Sequence, residues 1–563
     1  MKNMLLAIIL ISPLSLWSAV GQAFELPKSA TNQGLVLTIN KGKSFASSCS
    51  KSLQNCTLQI SQTVCLNPPA FVTITNHSNV KAMNIKARSN DVNFNTYVIQ
   101  NNNCPAALAP GASCSIAFST NAGVSFSIAD VIVKGINTNA SFLNLNAYQC
   151  YYSVGGTISG LTMSGLVLQN NGGDNLSIST GSTAFTFPTP IPLGGSYNVT
   201  IAQQPTGNVC NITNSTGNNV NNNVNSVAVV CSSGALTPIA GSPFTAGSQP
   251  YGMAISPDSQ FIYAVNFVDN NISAYNINAS TGVLTSIAGS PFPTGNASQE
   301  IAITPNGQFA YVTNGNDNAI SGYSLNQLTG ALTPLSTSPF PAGTTPSNLA
   351  ISPNGLFVYV ANANGSNVSG YRIMSDGSLT PLMGSPFATL ANPGALTVSP
   401  DNNFLYVANS NSISVYSIAI GTGALTPISG SPFPTGNTPF DITLTPNGLF
   451  AYTANFSASS ISAFSVNTVT GALTPISGSP FSTANTPTSI VISPNGQFAY
   501  VTNSSPNSIS AYSINQSTGF LTSVAGSPFA TGANPNYGVI TPDGLYLYTS
   551  SFLGTTVSGF KIN

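Results

Sequence analysis

Charged side chains are scarce in this chain. Its 563 residues include 11 Lys and Arg and 12 Asp and Glu, so charged residues make up 4% of the sequence, against about 25% in an ordinary soluble protein. Binding to a nucleic-acid backbone requires a basic stripe. The few, scattered basic residues therefore exclude nucleic acid as an expected partner, and Asn, Ser, Thr and Gly must form most of the surface that meets water.

Long apolar runs are missing after the first residues. One run, from Met4 to Leu16, follows Lys2 and precedes Gly21-Gln22-Ala23, an arrangement typical of a signal peptide and its cleavage site. The run is shorter than the ~18–20 residues needed to span a bilayer. We expect residues 1–23 to be removed and the mature chain, without a membrane span, to be secreted, periplasmic or on the cell surface; a membrane anchor is the alternative.

Cysteine and histidine are confined to the N-terminal part. The one histidine is His77, and the eight cysteines lie at positions 49, 56, 65, 104, 114, 150, 210 and 231. In an exported chain an even number of cysteines favours disulfide bonds over metal ligation, which usually needs closely spaced Cys pairs and His ligands. Without a histidine, the residues after 231 cannot form a Ser-His-Asp catalytic set.

A repeat organises the rest of the sequence. A segment Gly-x-Leu-Thr, followed by Ser-Pro-Phe, begins at positions 234, 282, 330, 377, 423, 471 and 519, in steps of 46–48 residues. Each repeat contains four runs rich in β-branched and aromatic residues, and Pro-Asn-Gly or Pro-Asp-Gly supplies a tight turn between the first two. The pattern predicts seven four-stranded sheets arranged radially, an all-β fold with a seven-bladed β-propeller in residues 234–563.

The phase of the repeat predicts how the ring closes. The array begins with a fourth-strand segment, Leu236–Ile239, and ends with a third-strand segment, Val557–Phe560. The last sheet therefore lacks its outer strand. Pairing of residues 236–239 with the C-terminal strand would supply that strand and remove an exposed sheet edge; an open solenoid is the alternative.

The repeats also resemble a known family. Segments such as Ser352–Asn362 and Ala310–Asn314 look like the YVTN repeats of the lactonase-type propellers, which include 6-phosphogluconolactonase. The resemblance covers roughly residues 234–563 and implies the propeller fold. Members of that family typically carry Gly-Pro-Arg-His just before an innermost strand, and the resemblance implies that basic side chains there would face the channel and hold an anionic substrate.

The basic residues of that family site are missing from this sequence. The seven corresponding triplets, such as Pro250–Gly252 and Pro439–Asp441, contain neither Arg nor His, and the basic residues from position 234 onward are Arg372 and Lys561. Hydrolysis of a lactone needs a base or a metal-activated water. Because the triplets supply only two carboxylates for that task, we expect that lactonase activity is not retained.

Two immunoglobulin-like β-sandwich modules are expected before the propeller, in residues 24–150 and 151–233. The segment from Cys104 to Phe118 resembles a motif of immunoglobulin-like modules in bacterial exported proteins, and the segments Val154–Leu161 and Tyr197–Cys210 resemble a small sandwich of the same proteins. A turn at Pro110-Gly111 would bring Cys104 and Cys114 together, and Cys210 and Cys231 would flank an Asn-rich hairpin, so we expect the disulfide bonds Cys104–Cys114 and Cys210–Cys231. The sequence leaves open the pairing of Cys49, Cys56, Cys65 and Cys150.

The triplets place candidate ligand-binding residues at the channel mouth. These are aromatic, amide and acidic residues: Tyr251, Glu300, Asn348, Phe440, Asp441, Asn536 and Tyr537. Aromatic faces beside polar groups suit a hydroxyl-rich ligand such as a sugar; the alternative is that the rings plug the channel. Counting blades places Glu300 and Asp441 across the axis from each other, where their oxygens could hold a calcium ion or a sugar; the alternative is two solvated carboxylates.

Together these observations favour an exported, non-enzymatic protein. We expect it to bind a protein or carbohydrate ligand with its propeller and to use the sandwich modules as spacers. No catalytic residue, cofactor or firm metal site is expected. The alternatives are a lactonase-like hydrolase and a structural component of the cell surface.

Overall fold

The computed structural model describes the strand residues 35–40, 47–49, 55–60 and 70–76, and residues 81–109, 111–120, 126–136, 141–147 and 151–563. Residues 1–23, the expected signal peptide, lie outside this part. No helix in the described part is long and apolar enough to cross a membrane. The chain forms two compact units, of which the second contains Val230–Asn563 and two short segments, Gly160–Ser164 and Gln204–Cys210.

The N-terminal region is built from sheets. One sheet has the strand order Leu35–Asn40, Ala70–Asn76, Ser113–Thr120 and Val98–Asn102; another has Ser47–Cys49, Asn55–Ile60, Ser141–Ala147, Phe126–Lys134 and Lys86–Arg88; Ala82–Met83 pairs with Ala107–Leu108. A short helix, Val92–Tyr97, begins after Asp91, whose carboxylate accepts a hydrogen bond from the Asn93 N–H. Alternate strand residues such as Ile116 and Phe118 form a buried core, because successive side chains of a strand point to opposite faces.

Further sheets lie between residues 151 and 232. They contain Ala184–Thr186, Val154–Ser159, Val224–Ser232 and Val209–Thr213 in one sheet, Asp174–Ser177, Val167–Asn170, Tyr197–Gln203 and Thr216–Gly217 in the next, and the pair Tyr151–Tyr152 with Ile191–Pro192. Both expected disulfide bonds, Cys104–Cys114 and Cys210–Cys231, are present. The immunoglobulin-like character of these modules stays a prediction.

The C-terminal part is a seven-bladed β-propeller, as the repeat predicted. Blades 1 to 7 are numbered by their innermost strands, Pro250–Ile255, Ser298–Ile303, Pro346–Ile351, Ala395–Val398, Pro439–Leu444, Pro487–Ile492 and Pro535–Ile540. The second strands are Phe261–Asn266, Phe309–Asn314, Phe357–Asn362, Phe404–Asn409, Phe450–Asn455, Phe498–Asn503 and Tyr546–Ser551. The third strands are Asn271–Ile277, Ala319–Leu325, Asn367–Ile373, Ser412–Ile418, Ser460–Val466, Ser508–Ile514 and Thr556–Ile562. A single-turn 3₁₀ helix, Ala363–Gly365, follows the second strand of blade 3.

The outer strand of each blade is divided, which the sequence pattern did not predict. Its first pieces are Leu236–Pro238, Leu284–Ser286, Leu332–Pro334, Leu379–Pro381, Leu425–Pro427, Leu473–Pro475 and Leu521–Ser523; its second pieces are Phe244–Thr245, Phe292–Pro293, Phe340–Pro341, Phe387–Ala388, Phe433–Pro434, Phe481–Ser482 and Phe529–Ala530. Both pieces pair with the third strand. The Ser-Pro segment interrupts the outer strand, and the serine hydroxyl accepts the hydrogen bond that a strand carbonyl would otherwise accept from the third strand. In blade 1, Ser290 Oγ accepts a hydrogen bond of 2.9 Å from Ala274 N.

The ends of the array meet in blade 7. Leu236 lies opposite Ile562 and Thr237 opposite Lys561, and Phe244 lies opposite Val557. The first segment of the repeat region therefore forms the outer strand of the last blade. The third strand of that blade is covered on the side where an unpaired edge would otherwise invite association.

A repeated hydrogen bond joins neighbouring blades. A buried tyrosine of each second strand donates its hydroxyl hydrogen to a glycine carbonyl just before the next outer strand; the pairs are Tyr263–Gly330, Tyr311–Gly377, Tyr359–Gly423, Tyr406–Gly471, Tyr452–Gly519, Tyr500–Gly234 and Tyr548–Gly282. The glycine is required. Gly330 has φ +72°, and a Cβ there would collide with the ring of Phe261, so both its conformation and its lack of a side chain permit the contact.

Candidate functional site

The innermost strands begin with β-bulges at the channel mouth. In blades 1, 2 and 7 two residues of the innermost strand have no paired residue on the second strand: Tyr251-Gly252, Gln299-Glu300 and Asn536-Tyr537, respectively. In blades 3, 5 and 6 one residue is left out of the pairing: Ser347, Phe440 and Thr488, respectively. Hydroxyl groups satisfy backbone donors freed in this way. Thr313 Oγ1 accepts from Glu300 N at 3.0 Å, and Ser550 Oγ accepts from Tyr537 N at 3.1 Å. Bulges commonly re-aim side chains beside functional sites.

The bulges surround a cavity of about 350 Å³ at the channel mouth, a volume within the range typical of small-molecule sites. All seven candidate residues line it: Tyr251, Glu300, Asn348, Phe440, Asp441, Asn536 and Tyr537. The other lining residues are Gln299, Ser347, Ala363, Asn392, Pro393, Gly394, Asn409, Ser410, Thr438, Pro439 and Thr488. None of these described lining residues is Lys, Arg or His. The structure thus brings the candidate residues together in one cavity lined by polar groups and aromatic rings, which we call the mouth cavity.

Glu300 is buried in this cavity, with 3% of its surface exposed. Its Oε1 accepts from Ile301 N at 3.2 Å and its Oε2 accepts from Asn348 Nδ2 at 3.4 Å. Burial raises the pKa of the Glu300 carboxyl well above its usual value, the charge of Asp441 raises it further, and hydrogen bonds from Ile301 and Tyr537 oppose the rise. Burial therefore favours the protonated, neutral form of Glu300.

Asp441 is partly buried on the opposite side of the ring. Its Oδ1 accepts from Ile442 N at 2.8 Å, and its Oδ2 accepts from Ser489 Oγ and Ile490 N, both at 2.9 Å. Burial raises the pKa of Asp441 to about 6, although these three hydrogen bonds lower it. The alternative of two solvated carboxylates is wrong for Glu300, which is 3% exposed. Asp441 is partly exposed, and its oxygens accept these three hydrogen bonds from protein donors.

The aromatic residues of the mouth have different surroundings. Burial raises the pKa of Tyr251 to about 12; the neighbouring Asn536 amide opposes the rise and the Glu300 charge adds to it. Gly252 makes room for this arrangement, since a Cβ on it would lie 3.0 Å from Glu300 Cδ and would collide with the backbone oxygen of Gln299. Phe440 lies against Phe456, with ring centroids 5.7 Å apart.

A second cavity, of about 330 Å³, lies further along the channel. Most of its lining side chains are apolar, including Met253, Ile301 and Val491, and it shares Glu300 and Tyr537 with the mouth cavity. These two shared residues therefore lie between the cavities. Of the three aromatic residues, Tyr537 lines both cavities, whereas Tyr251 and Phe440 line the mouth cavity alone.

Some lining residues were missed by the sequence analysis. Asn409 ends a second strand and Ser410 follows it. Asn392 and Thr438 lie within three residues of the innermost strands that follow them and have left-handed backbone conformations, with φ of 53° and 55°. The corresponding residue has φ between 50° and 56° in every blade. Its residue type varies among Gln, Ala, Thr and Asn, of which only Asn commonly favours this conformation, so the sequence carries little signal for it.

The carboxyl pair offers few oxygens for a cation. No group of three or more His, Cys, Asp or Glu side chains in the described part of the chain could hold a metal ion. At the mouth, both oxygens of Glu300 and both oxygens of Asp441 already accept hydrogen bonds from protein donors. The two carboxyl groups can instead accept hydrogen bonds from a polar ligand and, when protonated, donate them.

Known proteins share the propeller. The family model described as "Lactonase, 7-bladed beta-propeller" matches residues 227–388, 377–483 and 476–563, more than half of the chain. Similar solved structures include putative 6-phosphogluconolactonases of Bacteroides uniformis ATCC 8492 (24% identity, 56% of this chain and 93% of that chain, TM-score 0.48) and Bacteroides fragilis NCTC 9343 (21%, 57% and 92%, 0.45). Another is the periplasmic gluconolactonase PpgL of Pseudomonas aeruginosa (14%, 58% and 100%, 0.45). None of the curated proteins matches the chain.

Proposed function

The chain belongs to the lactonase family of seven-bladed β-propellers, and we propose that it binds a small molecule in the mouth cavity. We propose further that this ligand is uncharged and rich in oxygen, such as a sugar. The observation that carries the proposal is the lining of the cavity. It combines carboxyl, amide and hydroxyl groups with aromatic rings and, among the described residues, contains no basic side chain.

The charge of the cavity favours an uncharged ligand. A phosphorylated ligand would find no cation among the lining residues, and the Asp441 carboxylate would repel it at and above neutral pH. A sugar hydroxyl can both donate and accept hydrogen bonds. It can therefore donate to Asp441 and accept from Asn348 or Asn536, while the sugar ring lies against Tyr251.

We propose that this binding takes place outside the cytoplasm. Two disulfide bonds support export, because disulfides persist in oxidising compartments and are rare in the cytosol. The apolar run at Met4–Leu16 gives the same indication from the sequence.

Hydrolysis of an uncharged lactone is a second candidate function, and one observation favours it. The pKa of Asp441 is raised to about 6, near the value at which a general base works well at neutral pH. If Asp441 activates water, turnover of glucono-δ-lactone by the full chain will rise with pH through about 6 and disappear in Asp441→Asn. Equal release of gluconate with the wild type, the variant and buffer alone would exclude this function.

The binding proposal is tested by thermal shift and calorimetry on the full chain. Neutral monosaccharides and disaccharides are compared with 6-phosphogluconate. At least one neutral sugar should bind, 6-phosphogluconate should not, and Tyr251→Ala should weaken sugar binding about tenfold or more because it removes a stacking face. Leu328→Ser is the control, since Leu328 is 89% exposed and lies outside the cavity. Tight binding of 6-phosphogluconate, or no effect of Tyr251→Ala, would contradict the proposal.

A further inference from the structure

Two neighbouring blades differ from the rest at the turn after the second strand. In blade 1 this turn begins with Phe267-Val268 and in blade 7 with Phe552-Leu553. The corresponding pairs in the other blades are Gly315-Asn316, Ala363-Asn364, Ser410-Asn411, Phe456-Ser457 and Ser504-Ser505. Two consecutive apolar residues thus occur only in blades 7 and 1, which are adjacent in the closed ring.

These apolar residues form one patch with a residue of the mouth cavity. The ring of Tyr251 lies 5.5 Å from that of Phe552, at 87°, and 6.2 Å from that of Phe267, and the two phenylalanine rings are 6.3 Å apart. Val268 is 52% exposed and Leu553 is 68% exposed. We call these five residues the aromatic rim. Tyr251 belongs to both the aromatic rim and the mouth cavity, so the apolar patch continues directly from the polar site.

Beside Tyr251 the mouth cavity contains an unmatched hydrogen-bond donor. Asn536 is 6% exposed. Its amide is near enough to the Tyr251 hydroxyl to lower the pKa of that group, but its Nδ2 makes no hydrogen bond of standard geometry to a described residue. Buried polar groups are nearly always paired, and leaving one unpaired costs stability. An acceptor oxygen of a ligand could accept a hydrogen bond from this nitrogen. Because Asn536 lies beside Tyr251, the polar part of the ligand would then end next to the aromatic rim, where an apolar part could begin.

We infer that the ligand of the mouth cavity is amphipathic. Its uncharged, oxygen-rich part lies in the cavity with an acceptor oxygen on Asn536 Nδ2, and an alkyl or aryl part leaves the cavity across the aromatic rim. This inference rests on the proposed function, whose sugar-like ligand it extends by an apolar substituent.

The dimensions of the patch favour a small ligand over a protein. A stable protein interface uses about 20–30 residues on each side, whereas the aromatic rim consists of five residues. The same pair in four of the other blades is Gly, Ala or Ser followed by Asn or Ser, and blade 5 has Phe456-Ser457, so the fold does not require two apolar residues there. An exposed apolar patch beside a pocket is a common mark of a ligand-binding groove.

The test compares matched ligands on the full chain. Methyl and octyl glycosides of glucose, galactose and mannose are titrated by calorimetry, with the octyl compounds below their micelle concentration. The octyl glycoside of the best-bound sugar should bind at least about tenfold more tightly than the methyl glycoside, because several methylene groups leave water. The double variant Phe552→Ser with Leu553→Ser gives blade 7 the serine pair that blade 6 has at Ser504-Ser505. In this variant the ratio of the octyl to the methyl glycoside affinity should fall to near one.

Two further variants separate the rim from the donor. Leu328→Ser removes an apolar residue elsewhere that is 89% exposed, against 68% for Leu553, and should keep the wild-type ratio. Asn536→Leu should weaken the methyl and octyl glycosides alike by about tenfold, yet melt no lower than the wild type, because the lost nitrogen has no partner in the folded chain.

The outcomes distinguish the inference from the function on which it rests. Equal affinity for methyl and octyl glycosides would overturn the inference and leave the proposed function in place. An octyl preference that survives the blade 7 variant would also overturn it, since the tail would then lie elsewhere. Failure of all the neutral sugars and glycosides to bind would overturn both.

Discussion

At the scale of single residues, side-chain hydroxyls and amides take over hydrogen bonds that strands alone cannot make. The asparagine that ends a second strand is an example. In blade 3, Asn362 Oδ1 accepts from Gly343 N, and its Nδ2 donates to Asn367 and Ser369. Asparagine side chains commonly make such hydrogen bonds at turns. The sequence could not predict that Glu300 is buried, because Glu300 lies in a β-bulge that the repeat pattern does not reveal.

Blade 7 departs from the asparagine pattern, and this leads to a prediction. Ser551 occupies the position, and its buried Oγ has no hydrogen-bond partner among the described residues. The glycine that makes room for asparagine in blade 3, Gly343, has its counterpart in Gly532. Ser551→Asn should therefore form the missing hydrogen bonds, stabilise the fold by about 1 kcal/mol and raise the melting temperature by about 2 °C, measured by calorimetry.

The reverse substitution in blade 3 provides the control. Asn362→Ser removes hydrogen bonds to Gly343, Asn367 and Ser369 and should lower the melting temperature by more than Ser551→Asn raises it, since it leaves buried groups unpaired. A fall in melting temperature for Ser551→Asn would show that blade 7 has no room for the amide.

The raised pKa of Asp441 predicts a pH dependence of stability. The unfolded carboxyl has its ordinary pKa of 3.8 and the folded one about 6, so the folded state holds a proton that the unfolded state releases between these values. The contribution to stability is fully present below about pH 4 and is lost as the pH rises through about 6. With allowance for partial exposure the loss is about 2 kcal/mol.

The measurement is the melting temperature between pH 4 and pH 8 for the wild type and Asp441→Asn. The variant should gain stability relative to the wild type as the pH rises, because its amide has no proton to release. Parallel profiles for the two proteins would contradict the burial of the Asp441 carboxyl.

At the scale of strands and blades, the repeat determines most of the structure. The order of the strands follows from the four apolar runs, and the inward position of the first run follows from its apolar residues on both faces. The division of the outer strand did not follow, because Gly-Ser-Pro indicates a turn but does not show that the strand resumes at the next phenylalanine. Phe292 resumes it in blade 1, opposite Ile272.

Pairing between the two ends of the array predicts a strong effect of truncation. A propeller beginning at Ser232 retains Leu236–Pro238 and Phe244–Thr245, which pair with the last strand. One beginning at Thr245 loses most of that outer strand, the hydrogen bond from Tyr500 to Gly234 and the cover of a sheet edge. The shorter chain should melt at a markedly lower temperature, measured by circular dichroism. Equal melting temperatures would show that blade 7 is stable without its outer strand.

At the scale of the whole molecule, the fold could be predicted further than the function. The spacing of the repeat predicts seven blades, and its phase predicts which residues surround the channel mouth; all seven candidate residues line the mouth cavity. The unmatched amide of Asn536 and the continuity of Tyr251 with the aromatic rim were beyond prediction. They depend on contacts between blades that are far apart in the sequence and meet only when the ring closes.

The central claim is that the mouth cavity is the functional site, and a calorimetric titration of the full chain tests it most directly. The wild type and the double variant Glu300→Gln with Asp441→Asn are titrated with the tightest-binding neutral sugar and, separately, with calcium. The account predicts that the wild type binds the sugar and not calcium, and that the double variant binds the sugar at least about tenfold more weakly because an ionised acceptor is lost. Sugar binding of equal strength in the two proteins, or none in the wild type, would contradict it.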